Sequence, residues 1–307
     1  MNKIYDIAII GAGPGGLNAA LYASRSNLKV ALIEKSAPGG KMTKTSKIEN
    51  WLGFDLIDGF DLSLKAYNHA ISFGAEHLFG DIAKLEKNDD NLFELTYKTG
   101  EKLLAHKVII ATGMFEREPK WIENYDKFAF KGISFCATCD GPLFKGQDVI
   151  VLGGGNSAVE ESTFLAKIVN HVYLIVREKD FIAEARLVEE LKAMPNVTIY
   201  MEHQIKSLLG ENGIEKAIIF ENSSQKETIL NVSGFFPFIG FIPNNDFFKD
   251  LGITNKNGFV ETDENMQTKI KGLYAVGDIR EKKIRQIVTA AADGAIAAKH
   301  IVDNLHN

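Results

Sequence analysis

Cysteine is nearly absent. The chain has 307 residues and only two cysteines, Cys136 and Cys139. Two thiols cannot build a disulfide framework. They fall short of the four ligands of a structural zinc site, and none of the seven histidines stands at ligand spacing beside them, so no metal is expected. Long apolar runs are missing too: none reaches the roughly 18 residues that mark a transmembrane helix. The opening Met1-Asn2-Lys3-Ile4-Tyr5-Asp6 lacks the apolar stretch and cleavage site of a signal peptide, so a cytoplasmic protein with no membrane partner is expected. Positive charge is not in excess, with a net charge of -5 and a pI near 5.9. A nucleic-acid binder needs a basic surface to displace counterions, so no nucleic-acid partner is expected. Proline is scarce, at 7, against 27 glycines, so many backbone positions must be permissive and few stiff.

What is present is an ordinary globular composition, 45% hydrophobic and 24% charged. At roughly 100–200 residues per domain, the length predicts two domains or three. A repeat organises them. Ile7-Ala-Ile-Ile-Gly-Ala-Gly-Pro-Gly-Gly16 and Asp148-Val-Ile-Val-Leu-Gly-Gly-Gly-Asn-Ser-Ala158 each run from apolar strand to glycine turn, their first glycines 142 residues apart. Helical patterns follow at Leu17–Ser24 and Val159–Ile168, then apolar strands at Val30–Ile33 and Val172–Val176. Continuous apolar runs of this length fit strands buried on both faces of a parallel sheet. The repeat continues through hairpins, Phe93–Tyr97 with Leu103–Leu104 and Ala217–Phe220 with Thr228–Leu230. Each leads to one more strand, Val108–Ala111 and Phe235–Ile239. The tail holds an apolar segment at Gly272–Asp278 and a long helix at about Gln286–Asn304. Its Ala290, Ala291, Gly294, Ala295 and Ala298 suit close packing on a sheet or cofactor. The tail is too small for a domain of its own, so it returns to complete the first. The predicted fold is α/β: two Rossmann-like, three-layer nucleotide-binding domains, residues 1–113 with 245–307, and 114–244 inserted between them.

Gly11-x-Gly13-x-x-Gly16 lies between a strand and a helix, as a dinucleotide-binding fingerprint does. The first glycine makes the turn, the second admits a pyrophosphate, and the third allows helix and strand to meet. Glu34 closes the next strand 23 residues after Gly11, where a carboxylate can accept a ribose hydroxyl. Gly153-x-Gly155-x-x-Ala158 is a second fingerprint, with alanine as an accepted third residue. Two fingerprints imply two dinucleotides, a flavin and a nicotinamide that supplies hydride. Cys136-Ala-Thr-Cys139 reads as a redox dithiol rather than a pair of buried hydrophobes, in a short exposed helical turn ended by Gly141-Pro142. Asp140 is either its proton carrier or a turn cap. Gly277-Asp278 before Arg285-Gln286 suits either a flavin ribityl chain and phosphate or a helix cap.

These residues carry a pattern. The chain resembles the low-molecular-weight thioredoxin reductases nearly end to end. The matching pieces are the first fingerprint, Gly39-Gly40, Glu49-Asn50-Trp51, Ala111-Thr-Gly113, Cys136-Ala-Thr-Cys-Asp-Gly141, the second fingerprint, Phe238-Ile-Gly240 with Pro243-Asn244, and Gly277-Asp278 through Arg285-Gln286. The resemblance implies a thioredoxin-disulfide reductase. Hydride passes from NAD(P)H to FAD, then electrons pass to Cys136–Cys139 and on to thioredoxin. It implies that Cys139 faces the flavin, Cys136 attacks thioredoxin, and Asp140 is the acid/base. It places Gly11, Gly13, Pro14, Gly16, Glu34, Lys35, Gly40, Lys41, Asn50, Thr112, Gly113, Gly277, Asp278, Arg285, Gln286 and Ile287 at FAD. At the nicotinamide nucleotide it places Gly153, Gly155, Asn156, Ser157, Ala158, Arg177 and Glu178. A homodimer is implied, as is a smaller domain that rotates on two crossings near residues 113 and 240.

The sequence departs from the family pattern at four places. Lys41 stands for the usual Gln, and Asn156 for the common Asp. Val176-Arg177-Glu178 stands for His-Arg-Arg, and Ile182 for a further Arg. NADPH is the family cofactor, but the missing arginines are those that read its 2′-phosphate. NADH is therefore the alternative, unless Lys179 or Arg186 folds in. A ferredoxin or flavodoxin reductase is the competing enzyme, and the dithiol argues against it. A peroxiredoxin reductase subunit would add a thioredoxin-like region for which there is no room. A flavin redox sensor would keep the fingerprints without turnover.

Overall fold

The computed structural model describes residues 3–44, 48, 50–129 and 131–304. Glu49 and the side chains of Thr138 and Cys139 lie outside what is described. The chain folds as two compact units, Met1–Phe115 with Ile242–Asn307, and Glu116–Phe241.

The first unit opens with β1 (Ile4–Ile10), α1 (Pro14–Arg25) and β2 (Val30–Glu34), the predicted strand–helix–strand. Then come α2 (Gly59–Ser72), β3 (Glu76–Phe79), β4 (Ile82–Lys87), β5 (Phe93–Tyr97), β6 (Lys102–Ile110) and the outgoing β7 (Met114–Glu116). The second unit runs through α3 (Ala137–Asp140), β8 (Asp148–Leu152), α4 (Asn156–Ala166), β9 (His171–Val176), α5 (Ala185–Lys192) and β10 (Val197–Met201). It continues through β11 (His203–Leu209), β12 (Lys216–Glu221), β13 (Glu227–Asn231), β14 (Gly234–Pro237) and the returning β15 (Phe241–Pro243). β16 (Leu273–Ala275) and α6 (Ile287–Asp303) complete the first unit.

In the first unit β3, β2, β1, β6 and β16 are parallel, and β5 and β4 extend the sheet antiparallel from β6. The end of β1, Ile7–Ile10, is apolar throughout because both of its faces are covered. Ile7 and Ile9 enter a core with Leu17, Ala20 and Ala298, while Ala8 and Ile10 enter another with Leu95, Phe93 and Phe248. The second unit repeats the plan. β10, β9, β8 and β14 form a parallel sheet, and β11, β12 and β13 a separate antiparallel one. Val149 and Val151 pack under α4 and α5, whereas Ile150 and Leu152 face the antiparallel sheet. Two Rossmann-like α/β halves result, as the apolar runs predict.

Two elements differ from the sequence reading. The hairpin arm Leu103–Leu104 and the strand Val108–Ala111 are one strand, β6. Its polar His106-Lys107 marks a change of partner: residues 102–105 pair with β5, and 108–110 with β16. Pairing along β1 carries the backbone across the break. The small residues of α6 meet a helix, α1, as well as the sheet, where Ala298 shares a core with Ile7 and Ile9. A Cβ on Gly294 would stand 2.2 Å from the Gly15 carbonyl oxygen of α1. Among the described residues, no helix is long and apolar enough to cross a membrane.

Candidate active site

The first fingerprint occupies the turn from β1 into α1, at the carboxyl ends of parallel strands, where open α/β sheets take their ligands. Gly11 has φ +106°, and a Cβ there would meet the Ala111 carbonyl oxygen at 2.5 Å. A Cβ on Gly16 would lie 1.9 Å from the Gly11 carbonyl oxygen, so strand and helix meet only because it is absent. Gly13 is different: a Cβ there meets nothing within 4 Å. The protein itself does not demand that glycine, and the space lies at the N-terminal end of α1, which Pro14 opens. Glu34 turns its carboxylate onto the same turn. Oε2 accepts the Ala12 N–H, and Oε1 accepts those of Lys35 and Ser36, all at 2.9 Å.

The other first-unit candidates gather at that end. The Gly39 N–H donates to the Ala12 carbonyl at 2.7 Å, and a Cβ on Gly40 would lie 3.3 Å from the Gly13 Cα. Asn50 donates to the Gln286 side-chain oxygen at 3.1 Å. The Thr112 hydroxyl donates to the Asn244 carbonyl at 2.8 Å, and the Gly113 carbonyl accepts the Asn244 N–H at 3.1 Å. Lys35 points elsewhere, its ammonium 3.9 Å from Asp81 and 5.3 Å from the Phe115 ring centre. Gln286 and Thr289 cap α6 reciprocally with Ile287 as its first residue, so Asp278 is not the helix cap. Asp278 is half-buried. Burial pushes its carboxyl up, against the opposing charges of Lys282, Lys41 and Arg285. No hydrogen bond from the described residues reaches it. Arg285 lies 4.4 Å over the Phe259 ring with a buried, unpaired Nε.

Sequence reasoning misses what supports Asp278. Asp293, buried in α6, accepts the Gly277 N–H at 2.9 Å, Arg280 at 2.8 Å and Lys282 at 2.9 Å. Its one signal is an acidic residue inside a stripe of alanine and glycine.

The second fingerprint copies the first. Gly153 has φ +146°, and a Cβ there would meet the Phe238 carbonyl oxygen at 2.3 Å. The N–H of Gly11 reaches the Ile33 carbonyl as that of Gly153 reaches Ile175, at 2.8 and 3.0 Å. By this register Val176 stands where Glu34 stands in the first unit. Glu178, two residues further on, folds back: its Oε2 lies 4.0 Å from where a Gly154 Cβ would be. Arg177 is forked onto Glu178 Oε1, from Nε at 2.9 Å and Nη2 at 2.6 Å. Ile182 is exposed and carries no donor, though its N–H binds the Gly154 carbonyl at 2.9 Å. Arg186 is paired with Glu190 at 2.5 Å. Asn156 exchanges hydrogen bonds with Glu184, accepting its N–H at 2.8 Å, while Ala158 is buried and Ser157 exposed.

Cys136 is disulfide-bonded, and the sequence holds one other cysteine, three residues on. The helical turn α3 follows it, as expected, but less openly than the sequence suggests. Cys136 and Asp140 are half-buried and Ala137 is buried. Asp140 caps nothing with its side chain, which instead accepts the Ser134 hydroxyl at 2.6 Å.

Residues 5–294 match the pyridine nucleotide-disulphide oxidoreductase family model. The thioredoxin reductase of Mycoplasmopsis pulmonis is 48% identical over 99% of this chain and 98% of its own length. That of Bacillus subtilis is 39% identical, over 99% and 96%. The chain belongs to the low-molecular-weight thioredoxin reductases of that family. The fold agrees: Lactococcus lactis thioredoxin reductase superposes with a TM-score of 0.87 at 33% identity, over 97% of this chain and 98% of that one. T. acidophilum thioredoxin reductase gives 0.86 at 29% identity, over the whole of both chains.

Proposed function

We propose that this thioredoxin-disulfide reductase holds FAD in the first unit and the nicotinamide nucleotide in the second, and hands electrons to thioredoxin through Cys136 and Cys139. The observation that carries this reading is the Cys136–Asp140 turn, lying in one chain with two dinucleotide fingerprints. In the first unit, the bare Gly13 at the start of α1 fits a pyrophosphate, and Glu34 fits a ribose hydroxyl. The half-buried Asp278 carboxylate and the buried, unpaired Arg285 Nε fit the hydroxyls and phosphate of a ribityl chain. Asn50, Gln286, Thr112 and Gly113 line the same end of the sheet. FAD bound there supplies the two-electron step between NAD(P)H and the disulfide. As a dithiol, Cys136 attacks the thioredoxin disulfide, Cys139 resolves the mixed disulfide, and Asp140 manages the thiol proton. The products are the Cys136–Cys139 disulfide and reduced thioredoxin, so electrons and protons balance.

The experiment is steady-state thioredoxin reduction by Cys136→Ser and Cys139→Ser. Both should lose it, by at least about 10³-fold, while flavin bleaching by NAD(P)H survives, because the dithiol lies downstream. Substantial thioredoxin reduction by either variant defeats the assignment.

The nicotinamide choice favours NADH or a weak NADPH preference. The observation behind it is the Arg177–Glu178 fork. The one arginine left of the usual cluster is neutralised by its neighbour, and Arg186 is engaged by Glu190. Glu178 reaches the fingerprint from beyond the strand end, as Glu34 does from β2.

A homodimer fits the first unit. Leu52, Phe54, Leu56, Phe60 and Leu64 are exposed together before and on α2, beside a cavity of about 230 Å³ lined by α1, α2 and α6. Exposed apolar side chains grouped along one stretch of the chain mark an association site, and a second copy of the chain is the occupant proposed.

A further inference from the structure

We propose that Ser134 is a positioning residue for proton transfer at the dithiol, holding the Asp140 carboxyl in place in both of its protonation states. This rests on the reading of Cys136, Cys139 and Asp140 given above.

Ser134 is buried, with 6% of its surface exposed. Ser24 and Ser162 are buried too and leave their hydroxyls unpaired. The Ser134 hydroxyl has partners on every side. It donates to Asp140 Oδ2 at 2.6 Å, accepts the Cys136 N–H at 3.1 Å, and has the Cys136 carbonyl as a second acceptor at 3.3 Å. A hydroxyl carries one proton and two lone pairs. With Asp140 ionised, that proton lies toward Oδ2 in a short, charge-assisted hydrogen bond. With Asp140 protonated, the carboxyl O–H donates to the Ser134 oxygen and the serine proton turns to the Cys136 carbonyl. The Cys136 N–H is accepted in both states. The carboxyl therefore gains and loses its proton without leaving the residue whose thiol it serves.

The serine is itself fixed. Its N–H donates to the Phe235 carbonyl at 3.0 Å, on a strand whose residues are all buried. The clamp is thus anchored to the parallel sheet rather than to a free loop. α3 packs on α4 and on the 3-10 turn Gly141–Phe144. That turn and β14 bring no titratable group, whereas α4 brings Glu160 and Glu161. Burial, then the charge of Glu160, pushes the Glu161 carboxyl up to about 7, so it titrates in the working range and needs its own control.

The test is the pH dependence of thioredoxin reduction by the prereduced holoenzyme, followed by rapid mixing. It compares the native protein with Asp140→Asn, Ser134→Ala, Ser134→Thr and Glu161→Gln. Flavin bleaching by NAD(P)H is recorded in each. The limb of the native profile that Asp140→Asn removes should move to higher pH in Ser134→Ala, because the bond lost from the ionised carboxylate is stronger than the one lost from the neutral carboxyl. Flavin bleaching should stay native, Ser134→Thr should restore the limb, and Glu161→Gln should leave it in place. An unmoved limb in Ser134→Ala, an equal loss of flavin bleaching, or failure of Ser134→Thr to restore overturns the serine alone. If Asp140→Asn removes no limb, the acid/base reading fails and the serine's role falls with it.

Discussion

At the scale of single residues, the glycines separate what the fold needs from what a ligand needs. Gly11 and Gly16 are demanded by the protein's own backbone, so a side chain at either disrupts the turn itself. Gly13 is not. It has φ -75°, which any residue adopts, and open space around its missing Cβ. Gly13→Val should therefore fold with native circular dichroism and yet purify without FAD. Stoichiometric yellow flavin in that variant would contradict the first fingerprint's assignment. Glu178 makes the corresponding case in the second unit. Each charge-assisted bond to a phosphate is worth about 1.5–3 kcal/mol, so two missing arginines weaken NADPH discrimination by roughly 10²–10⁴-fold. Glu178→Arg releases Arg177 and adds a second fork. Its ratio of kcat/KM for NADPH over NADH should rise by at least about 10-fold over native. A native NADPH preference above about 10³-fold, or no rise in the variant, would mean that other residues read the phosphate.

At the scale of elements, α6 is seated by an ion cluster as well as by small side chains. Asp293 faces two cations, and all three side chains are close to 10% exposed, at 9–12%. Removing one partner of a buried pair leaves charge uncompensated, at a cost of about 3–5 kcal/mol. Asp293→Ala should lower stability by that amount and loosen the Gly277–Asp278 turn, raising the FAD dissociation constant. Asp293→Asn keeps an acceptor for the Gly277 N–H and should recover part of both. Urea unfolding followed by circular dichroism, with flavin fluorescence for release, measures the two effects. Equal stability of Asp293→Ala and the native protein would show the cluster to be energetically neutral.

At the scale of the whole molecule, the apolar surface around α2 decides association. Leu52 is 98% exposed and Phe60 56%. Such exposure is rare for side chains that stay in water when grouped, and a stable dimer needs about 800 Å² from each partner. Sedimentation should give a dimer for the native protein and a monomer for Leu52→Asp combined with Phe60→Asp. A native monomer at micromolar concentration would leave the patch to another partner.

Sequence alone determined the parts with local causes. The two fingerprints, their strands and helices, the tail helix and the Cys136-x-x-Cys139 turn are written in apolar runs and glycines, because a doubly buried strand must be apolar throughout. The same local logic misplaced β6: two polar residues read as an ending, where pairing with β1 holds the strand together. Only the tertiary structure decided what depends on residues far apart. Asp293 meets Arg280 and Lys282 because α6 returns to a strand-end turn. Ser134 meets Asp140 because a strand and a helical turn hold them together, and Glu178 folds back over a fingerprint 24 residues earlier in the chain. Hydrogen bonds and ion pairs act at about 3 Å, a separation that packing sets and that no periodicity in the chain encodes.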